Sequence, residues 1–114
     1  MNEFKLWHKK IKEFLRPDKF LVFGKDGIAN NPDCEICNYI GIKDINNNKI
    51  YADSSIIEFF HKSIKQIGIV KYSIDSAYYY FDIKNGSGHI PLYMVNFEKI
   101  KIIDNIQENK LGLI

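Results

Sequence analysis

Ala77-Tyr78-Tyr79-Tyr80-Phe81-Asp82-Ile83 is the stretch whose reading decides the fold. Aromatic and β-branched side chains pack well on a pleated surface. In an extended chain Tyr78 and Tyr80 face one way, and Tyr79 and Phe81 the other. One pair enters the core, and the other lies on an outer sheet face close to Tyr72 or Tyr93. Working outward, similar short runs recur at 20–23, 36–42, 49–51, 68–73, 92–97 and 99–103. Turn-forming clusters separate them at 24–27, 30–33, 46–48, 85–88 and 104–105. Many short strands with closely spaced turns predict a mainly β protein. The expected form is a small curled antiparallel barrel or sheet with one or two short helices, with α+β as the fallback.

Two segments carry a competing signal. Phe4, Trp7, Ile11, Phe14 and Leu15 fall on one helical face. Ser55-Ile56-Ile57-Glu58 has the form of a capping box, followed by Phe59, Phe60, Ile64 and Ile67 at helical spacing. The pattern leaves residues 55–66 divided between helix and strand.

With 114 residues, 46% hydrophobic and 26% charged, the chain reads as one globular domain over 1–114. The runs 20–23 and 78–81 are far shorter than the about 20 apolar residues of a membrane span. The opening residues lack a basic region followed by an apolar one, so a cytoplasmic protein with reduced cysteines is expected. Net charge is +2, but residues 1–25 hold seven basic and three acidic side chains. Lys9, Lys10 and Lys12 in this quarter are candidate contacts for a polyanion; a solvated face is the plainer reading.

Tyr39-Ile40-Gly41-Ile42-Lys43-Asp44-Ile45-Asn46-Asn47-Asn48-Lys49-Ile50-Tyr51 resembles the signature of the YopX family, roughly Y-T-G-L-K-D-K-N-G-K-E-I-Y. Three further stretches resemble family motifs in the same order. They are Phe4-Lys5-Leu6-Trp7-His8-Lys9-Lys10, Gly68-Ile69-Val70-Lys71-Tyr72 and Asp104-Asn105-Ile106-Gln107-Glu108-Asn109. Asn47 replaces the turn glycine of the family, an exchange that positive φ tolerates. Residues 53–57 carry one insertion relative to the G-D-I-V stretch, which implies a bulge or a change of element. The resemblance implies a phage- or prophage-encoded protein of the bacterial cytoplasm with no established activity, cofactor or catalytic residues. It also implies that the N-terminal segment is a strand running into a tight turn, despite its helical spacing.

Candidate chemistry is sparse. Cys34-Glu35-Ile36-Cys37 has the spacing of half a zinc site, but tetrahedral zinc needs two more ligands. His8, His61 and His89 are scattered, and the motif leads into a strand rather than a redox-type helix. Asn85-Gly86-Ser87-Gly88-His89 lacks the lysine of a phosphate-binding loop and reads as a hairpin connection. Ser54, Ser55, His61 and His89 do not form a nucleophile elbow. The expectation is therefore no enzyme, no metal and no cofactor. The site expectation is Tyr72, Tyr78, Tyr79 and Tyr80 with Lys9, Lys10 and Lys12. These serve a self-associating module that binds a host or phage macromolecule without inserting in a membrane. One alternative is single-stranded nucleic-acid binding through the basic segment and residues 78–81. Another is zinc or redox chemistry at Cys34 and Cys37.

Overall fold

The computed structural model describes residues 3–15, 33–83, 88–95 and 99–113. The expectations at 20–23 and 24–27, and most of 30–33 and 85–88, lie outside these residues. The strands are β1 (Phe4–His8), β2 (Glu13–Leu15), β3 (Cys34–Lys43), β4 (Lys49–Tyr51), β5 (Ser55–His61), β6 (Ile64–Ser73), β7 (Tyr78–Ile83), β8 (His89–Pro91) and β9 (Lys101–Asn105). They form two antiparallel sheets, a four-stranded one in the order β2-β1-β3-β4 and a five-stranded one in the order β8-β7-β6-β5-β9. The fold is mainly β, a curled antiparallel half-barrel with almost no helix.

Alternation explains the core. On the inner face of the five-stranded sheet sit Ile57, Phe59, Val70, Phe81 and Ile83. The curl brings Ile50 of β4, with Ile40 and Ile42 of β3, against them, and Leu92, Val95 and Ile100 close the end. Backbone bonds from the segments after β3 and β4 tie the sheets together: Asp53 N–H to Val70 O at 2.8 Å and Ile45 N–H to Ile100 O at 2.9 Å. β3 pairs with β1 through residues 34–38 and with β4 through Tyr39 and Lys43, and the register with β4 shifts between those two. Gly41, at φ +87, supplies the backbone geometry that this irregularity needs.

The N-terminal segment is a β1–β2 hairpin, with Trp7 opposite Phe14 and their rings 4.8 Å apart. Its helical spacing was coincidental, since Ile11 sits exposed in the turn. The helix signal over 55–66 is likewise overturned. Lys62 and Ser63 both adopt positive φ, 53° and 64°, which makes a tight turn between β5 and β6. The supposed capping pair does other work. Ser55 Oγ accepts the N–H of Tyr51 at 2.9 Å, and Glu58 pairs with Lys65 across the hairpin at 3.5 Å.

Two further expectations need correction. Residues 92–94 form a 3₁₀ turn, Leu92–Met94, after Pro91 (φ −58°) ends β8. Asp104 and Asn105 end β9 instead of forming the turn, which follows at 106–108. Asn47 does take positive φ, 65°, as its place in the signature implied.

Candidate functional site

β7 and β8 pair antiparallel, with Tyr80 opposite Pro91 and Asp82 opposite His89. Alternation sends Phe81 and Ile83 inward, where both are buried, and leaves Tyr78 and Tyr80 on the solvent face. There the aromatic rings assemble. Tyr80 stacks on His89 with centroids 4.4 Å apart and 26° between the planes. The Tyr78 hydroxyl and His89 Nε2 share a hydrogen bond of 2.7 Å. Tyr78 meets the edges of Tyr80 and Tyr93 at 6.4 Å and 6.0 Å. Tyr93, carried by the 3₁₀ turn, is 73% exposed, and Met94 beside it is 56% exposed. Lys71, opposite Tyr80, bonds Asp82 at 3.0 Å on the same face, and that bond raises the Lys71 pKa.

The sequence-predicted tyrosines therefore divide. Tyr78 and Tyr80 join the outer cluster. Tyr79 is half-buried against the core, and Tyr72 meets it edge-on at 4.9 Å on the inner face. Lys9, Lys10 and Lys12 lie on the other sheet, in the β1–β2 turn. Lys9 N–H donates to Asp33 O at 2.7 Å, and Lys10 pairs with the Asp33 carboxylate at 3.4 Å. His89 and Tyr93 complete the cluster. The only sequence signal for His89 was its place just past a glycine-rich connection, which sets it across from the β7 tyrosines.

Cys34 and Cys37 both lie in β3, three residues apart, so their side chains leave opposite faces of the sheet. The spacing does not bring the two thiols to one metal or one disulfide. No group of three or more His, Cys, Asp or Glu side chains gathers in metal-binding geometry among the described residues. The Cys37 thiol is buried, which pushes its pKa up to about 11. Gln107 Nε2 lies 3.4 Å from Cys37 Sγ and 2.9 Å from Asp53 O, and Ser54 donates to Gln107 Oε1 at 2.6 Å. This polar knot fastens the C-terminal turn to β3 and to the β4–β5 connection. It places Ser54 in a structural role. No described helix is long and apolar enough to cross a membrane.

No protein-family model matches the chain, and no curated protein matches it.

Proposed function

We propose that the chain is a YopX-like, phage- or prophage-encoded interaction module of the bacterial cytoplasm, without catalytic chemistry. It self-associates through the outer face of β7 and β8 and, so assembled, binds a host or phage macromolecule. The observation that carries this reading is the solvent-facing cluster of Tyr78, Tyr80, His89 and Tyr93. Tyrosines that are already ordered by one another lose little side-chain freedom on binding, and they bury large areas while keeping a polar tip. The family resemblance, four motifs in order, supports the origin.

A second copy is the favoured occupant because the face carries both signs of charge. Lys71 and Asp82 flank the rings, so a two-fold arrangement sets each lysine against the partner's acid. A polyanion would meet Asp82 as well as Lys71. The test is a dilution series followed by amide NMR at two salt concentrations. Concentration-dependent shifts confined to Lys71 and residues 78–94 are expected. A spectrum unchanged on dilution overturns self-association. Tight salt-sensitive binding of a labelled oligonucleotide to the same residues would replace it with the nucleic-acid reading.

A further inference from the structure

A groove of about 370 Å³ opens where the two sheets meet, between β1, β4, the ends of β5 and β9 and the C-terminal turn. That volume lies within the range of small-molecule sites. Lys5, Lys49 and Lys110 line it, together with Tyr51, Ser55 and Leu111. Lys5 is half-buried. Its ammonium lies 4.1 Å from the Phe14 ring centroid and 4.8 Å from that of Tyr51. Among the described residues it has no carboxylate at ion-pair distance. Burial lowers its pKa, countered in part by the nearby Cys37 and Glu108.

A partly desolvated cation resting on ring faces keeps N–H donors that an anion satisfies. The other two lysines are engaged only at the surface, Lys49 with Glu3 and Lys110 with Glu108. Exposed pairs of this kind exchange partners readily. Two acids line the groove. Glu108 is held by Lys110 at 3.6 Å and accepts the Asn105 side-chain amide at 2.9 Å, and Asp104 is turned to backbone donors, the N–H groups of Asn105 and Leu111 at 2.8 Å each. Ser55 accepts from Tyr51 N–H and keeps its own proton to donate. Tyr51 and Leu111 supply apolar wall.

We infer that this groove binds a small organic anion, an apolar body whose phosphate or carboxylate head pairs with Lys5. The site is separate from the tyrosine face, so its test is independent of self-association. Phenyl phosphate, benzoate and benzyl alcohol are titrated at constant ionic strength and followed by amide NMR. At least one of the two anions gives saturable shifts at Lys5, Tyr51 and Leu111, and the tighter one identifies the head group. Benzyl alcohol gives none. Lys5→Met keeps the apolar stem and weakens binding at least tenfold, whereas Lys5→Arg retains it. Should Lys5→Met fail to fold, the Lys49→Ala/Lys110→Ala double variant carries the same expectation. No saturable shift with either anion, equal binding of the alcohol, or unchanged affinity in the folded lysine variants overturns the inference.

Discussion

Phe59 and Phe81 stack across the middle strand of the five-stranded sheet, with centroids 4.1 Å apart and 19° between the planes. Gly68 on β6 makes this stacking fit. A Cβ there would lie 3.1 Å from Phe81 Cβ, 3.2 Å from Asp82 O and 3.4 Å from Phe59 Cε1. The two rings close over a glycine because it leaves the space they fill. Gly68→Ala therefore forces the rings or the β6–β7 spacing apart, and overpacking of this kind costs about 1–3 kcal/mol. Urea denaturation should show a lower midpoint with little change in slope. An unchanged midpoint would mean that the rings slide without cost.

Asp44 is buried at the β3–β4 turn, and its two oxygens accept three backbone donors. Oδ1 takes Asn46 N–H at 3.0 Å and Asn48 N–H at 2.9 Å, and Oδ2 takes Ile102 N–H at 2.9 Å. One side chain thus closes its own turn and covers an outward donor of β9. Asp44→Ala strands these donors and should cost about 3 kcal/mol. Asp44→Asn should cost less. Hydrogen exchange at the Ile102 amide is the specific readout, and it should accelerate in Asp44→Ala before the β6–β7 amides do.

The Asp104 carboxyl is desolvated, which raises its pKa, but backbone donors from Leu111, Asn105 and Lys110 outweigh that and hold it below its ordinary 3.8. A folded pKa below the unfolded one contributes stability that is present above 3.8 and is lost as pH falls through the folded value. Asp104→Asn should flatten the acid limb of a stability profile below pH about 4. An identical acid limb in wild type and variant would remove Asp104 from the acid response.

The Cys37 thiol titrates near 11 in the fold against an ordinary 9.0, mainly through burial. The unfolded chain therefore releases this proton first, and stability falls as pH rises from 9.0 toward 11. Cys37→Ala should remove that alkaline slope. At neutral pH, iodoacetamide should modify half-buried Cys34 slowly and spare Cys37 until denaturant is added. Equal labelling of both thiols in the native state would contradict the burial.

The legible parts of this fold were those written in local pattern. Alternation along 78–83 correctly parted Tyr78 and Tyr80 from Tyr79 and Phe81, because a strand has period two regardless of context, but which pair faces the core comes only from the packing of the sheet. Residues 55–66 were illegible because their turn is Lys62-Ser63, which carries none of the glycine or asparagine that usually marks paired positive φ. The 3₁₀ turn at Leu92 was hidden because an apolar run after proline suits either element. The polar staples were beyond any local reading: Ser54 bonds Gln107 over 53 positions, and Ile102 bonds Asp44 over 58. Of the outer cluster, the tyrosines stood out in composition, but His89 enters only through the β7–β8 register.

Sedimentation equilibrium on wild type and on a Tyr80→Ser/Tyr93→Ser variant tests the proposed role of the tyrosine face most directly. The account predicts a self-associating wild type and a folded, monomeric variant. A wild type that stays monomeric at high concentration, or a variant that associates as tightly as wild type, would contradict it.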